Sequence, residues 1–284
     1  MKINTAKSAG FCFGVKRAIA IAKECAGKNK PVYMLGDIVH NETVVHSLSL
    51  SGIKRIKRLG KGKGKILLIR AHGETKEIYI QAKKKGYKII DATCPMVKEI
   101  HKLADGLEKK GFGIVIIGDK KHAEVKGITG QIKQKAVIID RLKNIPLKKL
   151  SRTKKTAVLV QSTQDYDKTL SIVKKLKKHI PNLKFFNTIC VPTREKQAET
   201  KKMPLENEAM IIIGSKTSAN TKRLYQLSKK INKNTHWIQS ANDIRKKWFK
   251  NIKKAGITAG ASTPDETIKE VTNRIKNIAA EDRE

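Results

Sequence analysis

Short runs rich in β-branched residues alternate with lysine-rich stretches of helical period along almost the whole chain, and this alternation constrains the fold more than any other feature. PVYMLG, KILLIR, KIID, FGIVIIG, KAVIID, TAVLVQ, KFFNTI, AMIIIG and AGITAG read as strands. VKRAIAIAKECA, ETKEIYIQAKKK, MVKEIHKLADGLEKK, DKTLSIVKKLKKHI, NTKRLYQLSKKI and TPDETIKEVTNRIKNI read as amphipathic helices, and a further helical stretch follows Cys190. Strands that alternate with helices in this way form βα units, so the expected class is α/β with a parallel sheet. GKGKGK at 60–65 reads as a flexible, basic loop.

At 284 residues the chain exceeds one ordinary domain, which predicts two or three units with their own cores. No run approaches the roughly 18 uncharged apolar residues of a membrane span, and MKINTAKSAG lacks an apolar signal core. The expected location is therefore the cytoplasm, with no membrane partner. In that compartment cysteines are catalytic, metal-binding or simply buried, and each must be judged separately. The net charge of +37 points first to nucleic acid. However, the lysines are spread along the polar faces of helices, and only 5% of the residues are the aromatics that single-strand binding interleaves. The expectation is a solvated lysine surface that attracts anions but does not bind nucleic acid.

Several apolar runs stop in Gly or Ala and release polar residues before a helix. YMLGDIVHN delivers His40 and Asn41, LLIRAHG delivers His72, and VIIGDKKHAEVKG delivers His122 and Glu124. VLVQSTQ delivers Ser162 and Thr163, IIIGSKTSANTKRL delivers Ser218 and Asn220, and ITAGASTPDE delivers Ser262 and Thr263. Ligands of parallel α/β sheets bind beyond the carboxyl ends of strands, so a site is expected here. These loops fall in pairs, one pair per third of the chain, and three of the four cysteines keep the same rhythm. Cys12 precedes VKRAIAIAKECA, Cys94 ends KIIDATC, and Cys190 ends KFFNTIC. Pro95 and Pro192 fit helix starts, where the helix dipole favours a thiolate. Cys25, on a helix, reads as a small apolar residue. His46, His101, His179 and His236 lack the strand-end context and read as surface or packing residues.

Three thiolates from three units fit more than one chemistry. A structural zinc site wants a fourth Cys or His and short C-x₂₋₄-C spacing, neither of which is present. An iron–sulfur cluster ordinarily takes four cysteines, and three leave one iron open to substrate. Three unrelated buried cysteines is the remaining reading.

The flanks of these residues carry a resemblance. GFCFGVKRAI, the VHN of DIVHNETVV, RAHG, DATCPMVKEIHK, KHAEVKGITGQ, TICVPTREKQAE, GSKTSANTKRL and ITAGASTPDETI closely resemble, in order and over nearly the whole chain, the 4-hydroxy-3-methylbut-2-enyl diphosphate reductase family of the non-mevalonate isoprenoid pathway. The resemblance implies an α/β fold of three pseudo-threefold-related domains with mainly parallel sheets around a central iron–sulfur site. The domains would span 13–92, 93–186 and 187–284, with 1–12 returning to the centre. It implies a 4Fe-4S cluster on Cys12, Cys94 and Cys190. It further implies reductive removal of the substrate's allylic hydroxyl as water, giving isopentenyl and dimethylallyl diphosphate. By the same match His40, His72, His122, Ser218, Asn220 and Ser262 bind the diphosphate and Glu124 is the general acid. Ser162 stands where the family usually has Thr, and keeps a hydroxyl to pass a proton or hold the alcohol. Three departures stand out: Ala219 where Ser is common, Val191-Pro192 where Tyr-Ala is common, and Lys196 where Arg is common. All are expected beside the site rather than in it. The chain shows no nucleotide fingerprint of its own, so an acidic electron donor such as ferredoxin or flavodoxin is the expected partner of the basic surface. Quinolinate synthase, another three-domain enzyme with one cysteine per domain, is the nearest competing reading; turnover of a diphosphate separates the two.

Overall fold

The computed structural model describes residues 1–28, 30–150 and 154–281. Among these residues the strands are β1 (Lys2–Thr5), β2 (Val32–Leu35), β3 (Ile53–Ile56), β4 (Ile66–Ile69), β5 (Lys88–Asp91), β6 (Gly113–Ile117), β7 (Val137–Ile139), β8 (Thr156–Val160), β9 (Leu183–Phe185), β10 (Ala209–Ile213), β11 (Thr235–Ile238) and β12 (Lys254–Ala259). The helices are α1 (Phe13–Ala26), α2 (Glu42–Leu50), α3 (Lys76–Lys84), α4 (Pro95–Lys109), α5 (Ala123–Thr129), α6 (Leu147–Leu150), α7 (Tyr166–Lys177), α8 (Val191–Glu206), α9 (Ala219–Ile231) and α10 (Asp265–Glu281). The strands form three four-stranded sheets, ordered β3-β2-β4-β5, β7-β6-β8-β9 and β1-β12-β10-β11. Every pairing is parallel, as the alternation of strands and helices predicts.

The three sheets share one topology. In the first two the chain enters at an inner strand, steps to one edge, crosses to the other inner strand and finishes at the opposite edge. The third repeats the first three steps with β10, β11 and β12, and β1 fills the last place, Lys2–Thr5 lying in register with Lys254–Ile257. Inner strands β4, β8 and β10 are buried at every position, the pattern of strands covered on both faces. The side-chain period of two then divides one strand between two cores. In the second sheet Val115, Ile117, Val158 and Val160 pack with Ile172, Val173 and Leu176 of α7. The alternate residues Ile114, Ile116, Ala157 and Leu159 pack with Ile100, Ala104 and Leu107 of α4 and Val125 and Ile128 of α5.

The stretches read as strands and helices omit β1, β3 and β11 among the strands and α2, α5 and α6 among the helices. The strand before Cys94 is the KIID that the sequence predicts, ending at Asp91, and the strand before Cys190 stops earlier than predicted, at Phe185, so both cysteines lie on loops beyond their strands. The 60–65 loop is anchored at its middle. Gly62 is buried, a Cβ there would come within 2.2 Å of the Tyr87 ring, and its N–H donates to Lys85 O at 2.8 Å.

By packing, the chain forms two compact units, one of residues 1–15, 40–44 and 191–284 and the other of 16–39 and 45–190. The first holds the β1-β12-β10-β11 sheet and the second holds the other two. Among the described residues no helix is long and apolar enough to cross a membrane.

Candidate active site

The second unit carries His72, His122, Glu124 and Ser162. Beyond β6 the chain runs Gly118-Asp119-Lys120-Lys121-His122-Ala123-Glu124 into α5. His122 caps that helix, its Nδ1 accepting from Glu124 N–H at 3.2 Å, which leaves Nε2 as the nitrogen that carries the proton of a neutral ring. Glu124 is only 1% exposed. Its Oε1 accepts from the Ser162 N–H at 2.6 Å and its Oε2 from the Ser162 hydroxyl at 2.8 Å, two residues past β8. Carboxyl and hydroxyl are thus joined in a buried hydrogen-bonded pair, with Glu124 as the acceptor. His72, three residues past β4, meets His122 edge to face at 5.4 Å between ring centroids. Behind these loops lies His101 of α4. A Cβ at Gly73 would sit 2.7 Å from the His101 ring, and one at Gly127 of α5 would sit 3.1 Å from it. Burial lowers the pKa of His101 to about 4, so its ring is neutral at physiological pH.

The first unit carries His40, Ser218, Asn220 and Ser262. Beyond β10 the chain runs Gly214-Ser215-Lys216-Thr217-Ser218-Ala219-Asn220 into α9. Ser218 caps α9 by accepting from Thr221 N–H at 3.3 Å, and its own O–H remains available to donate. Asn220 is 5% exposed, and both its amide oxygen and its amide nitrogen are buried without a hydrogen-bond partner among the described residues. Buried amides are ordinarily paired, so an unpaired one beyond a strand end marks a candidate binding position. Ser262 donates its hydroxyl to His40 O at 3.0 Å. It tethers the backbone of His40 and in this state does not offer a donor to a ligand. Beside His40, Asn41 caps α2 by accepting from Val44 N–H at 3.0 Å, and Glu42 accepts from Ser215 Oγ at 2.8 Å. Thr263, buried, donates to Ile213 O at 3.1 Å and is structural.

The three strand-end cysteines occupy one repeated frame. The N–H of Cys12 donates to Ala261 O at 3.1 Å, that of Cys94 to Ala71 O at 2.9 Å, and that of Cys190 to Ser162 O at 3.1 Å. Each acceptor lies two residues past the end of an inner strand, β12, β4 or β8, inside a turn closed by a 3.0 Å bond: Thr263 N–H to Gly260 O, Gly73 N–H to Arg70 O, and Gln164 N–H to Gln161 O. Each cysteine immediately precedes a helix, α1, α4 or α8, and no acid stands in the first turn of any of them. No disulfide joins the cysteines. Cys25 differs in being fully buried, and burial pushes its thiol up from the ordinary range. The Cys94 turn is further braced by Asp91, which accepts from Thr93 N–H at 2.9 Å and pairs with Lys98 at 2.7 Å, and by Arg17, which donates to Thr93 O at 3.2 Å.

Lys196, expected beside the site, is instead 2% exposed beneath the segment that leads to Cys12. Its amine donates to Gly10 O at 2.9 Å, to Ser8 O, and to Ala259 O at 3.5 Å. Burial lowers its pKa to about 8, against the opposing pull of Cys12, Glu199, Glu195 and Asp265.

A family model described as LytB protein matches residues 3–276. The chain belongs to this family. Among its relatives, the 4-hydroxy-3-methylbut-2-enyl diphosphate reductase of Geobacter metallireducens is 38% identical over 98% of both chains. That of Aquifex aeolicus is 38% identical over 96% of this chain and 95% of its own. A solved structure of (E)-4-hydroxy-3-methyl-but-2-enyl diphosphate reductase, the terminal enzyme of the non-mevalonate pathway, matches with a TM-score of 0.73 at 37% identity, covering 98% of this chain and all of that one. The Plasmodium falciparum E-1-hydroxy-2-methyl-but-2-enyl-4-diphosphate reductase matches with a TM-score of 0.88 at 31% identity, over 96% of this chain and 87% of its own. The α/β class with parallel sheets that LytB resemblance implied is the class observed.

Proposed function

We propose that this LytB-family chain is an oxidoreductase that converts 4-hydroxy-3-methylbut-2-enyl diphosphate, two electrons and two protons into isopentenyl or dimethylallyl diphosphate and water. The observation that carries the reading is the repeated cysteine frame, three thiols each ahead of an acid-free helix start with the backbone N–H tied to an inner-strand turn. Thiols so placed suit iron, and Cys12, Cys94 and Cys190 would hold an iron–sulfur cluster with three protein ligands. That group supplies the two electrons and an open iron for the substrate's hydroxyl.

The chain's own residues do the rest. We assign the diphosphate to His40, His72, His122, Ser218 and Asn220, donors that need no metal to hold an anion. The unsatisfied Asn220 amide supports its place in this set. Ser262 serves it through the His40 backbone. In its acid form Glu124 would donate from Oε2 to the Ser162 hydroxyl, reversing the direction of the 2.8 Å bond between them, while that hydroxyl gives its own proton to the departing oxygen; the burial of Glu124 keeps bulk water from short-circuiting the transfer. Each sheet with its helices is read as one domain, at 13–92, 93–186 and 187–284. An acidic carrier such as ferredoxin or flavodoxin delivers the electrons to a chain of net charge +37.

Protein purified without oxygen is expected to contain iron and acid-labile sulfide and to reduce the hydroxylated diphosphate with a chemical electron donor. Absence of both elements after anaerobic reconstitution, or stoichiometric zinc with no turnover, overturns the reading.

A further inference from the structure

Between the end of β1 at Thr5 and the start of α1 at Phe13 the backbone has no sheet or helix ladder of its own, yet it carries Cys12. One face of α8 supplies what is missing. Lys196 and Glu199 stand three residues apart on that helix, a spacing that puts them side by side. The Lys196 amine takes the carbonyl edge of the segment, donating to Ser8 O, to Gly10 O at 2.9 Å and also to Ala259 O at 3.5 Å at the end of β12. The Glu199 carboxylate takes the amide edge. Its Oε1 accepts from Lys7 N–H at 3.0 Å, and its Oε2 accepts from Ser8 N–H at 2.9 Å and from the Ser8 hydroxyl. All three donors of the ammonium are directed at backbone carbonyls, so the buried cation is satisfied.

Holding an ammonium away from water costs several kcal/mol even when it is paired, and a packed apolar side chain of similar size would often be as stable. Stability alone therefore gives no reason for a lysine here. We propose that Lys196 and Glu199 are positioning residues that grip both edges of the 7–10 backbone and so fix the direction in which Cys12 is presented to the iron–sulfur group. The proposal rests on the reading of Cys12 as a ligand. It gives α8 two duties, since the helix that begins immediately after Cys190 also braces the approach to Cys12.

The test uses the full-length protein purified anaerobically, with variants Lys196→Met, Lys196→Arg and Glu199→Gln. Amide hydrogen exchange of peptides covering residues 5–12 is compared with that of peptides covering β6 and β10, and iron loss to a chelator is followed under argon. Lys196→Met is expected to raise exchange at 5–12 by tenfold or more with the β6 and β10 peptides unchanged, and to hasten iron loss by a similar factor. Lys196→Arg is expected to restore both to within threefold of the parent. If Lys196→Met fails to accumulate, the half-buried Glu199→Gln carries the test, with faster exchange at the Lys7 and Ser8 amides and faster iron loss. Exchange at 5–12 that stays at the parent rate overturns the grip. Faster exchange with unchanged iron loss overturns the presentation of Cys12. A parent protein without iron instead sinks the reading of Cys12 as a ligand.

Discussion

The loops at 118–124 and 214–220 occupy the same place in their sheets and do different chemistry. Each leaves an inner strand through a glycine, and each uses its fifth residue to cap the following helix, His122 in one and Ser218 in the other. The seventh residue is Glu124 in one, bonded to Ser162, and Asn220 in the other, with its amide unsatisfied. The fold thus sets the position, and the residue sets what it can do: a carboxyl can move protons, whereas an amide can only donate and accept hydrogen bonds. A third copy, 36–42, puts His40 and Glu42 at the same two places, but Glu42 is exposed and accepts from Ser215 and Thr217.

The sharpest way to break this comparison is to neutralise the two carboxylates at matching positions. Glu124→Gln is expected to lower turnover by about 100-fold or more with iron content unchanged, the range of a lost general acid. Glu42→Gln, exposed, is expected to change turnover by less than about threefold, and an equal loss in both would show that position rather than environment sets the role. Next in size, Asn220→Ala is expected to raise KM by roughly tenfold or more with kcat nearly unchanged, because a hydrogen bond to a charged group contributes about 1.5–3 kcal/mol. A fall in kcat alone would move Asn220 from binding to chemistry. At the glycines, Gly214→Ala should destabilise by about 1–3 kcal/mol in denaturant titrations. Its φ is +146°, and a Cβ there would lie 2.6 Å from Thr221 Oγ1. Gly118→Ala should cost less, since its φ lies outside the left-handed region and the cost is confined to the close approach of Val125 and Gln161.

The smallest effect concerns pH. His101 is neutral in the folded protein down to about pH 4, whereas the unfolded chain takes up its proton near 6.5. The stability it contributes is therefore complete above pH 6.5 and is lost as the pH falls toward 4, amounting to about 1.4 kcal/mol by pH 5.5. Urea titrations of His101→Gln should lack that loss; an identical pH dependence in parent and variant would remove His101 as the support behind His72 and His122.

Burial on both faces made the inner strands β4, β8 and β10 legible, because a continuous apolar run needs no partner to be recognised. The edge strands β1 (KINT), β3 (IKRI) and β11 (THWI) mix polar and apolar residues in four-residue runs, and only their neighbours make them strands. Helix α5 is seven residues long and holds two buried positions that read as polar or small, Glu124 and Gly127, so its periodicity is faint. The strand-end histidines, serines and cysteines were visible because they follow apolar runs. Glu42 had a signal that passed unread, the spacing shared by GDIVHNE and GDKKHAE. Lys196 was marked only as a departure from a common Arg, and in a chain with 62 Lys and Arg nothing in its local pattern showed that it is buried. Glu199 was hidden in the same way by its partners, which are backbone amides of residues 7 and 8.

Strand β1 is synthesised before the other described strands, and among them it pairs with β12 alone, about 250 residues later. At roughly 5–20 residues per second, its neighbour leaves the ribosome on the order of tens of seconds after it does. Throughout that interval the nascent chain has its two other sheets within reach of completion while its opening strand waits as an unpaired edge. The bond from Cys12 N–H to Ala261 O can form only when Ala261 has been translated, so a message truncated before that codon yields a chain in which the turns of Cys94 and Cys190 are complete and that of Cys12 lacks its acceptor.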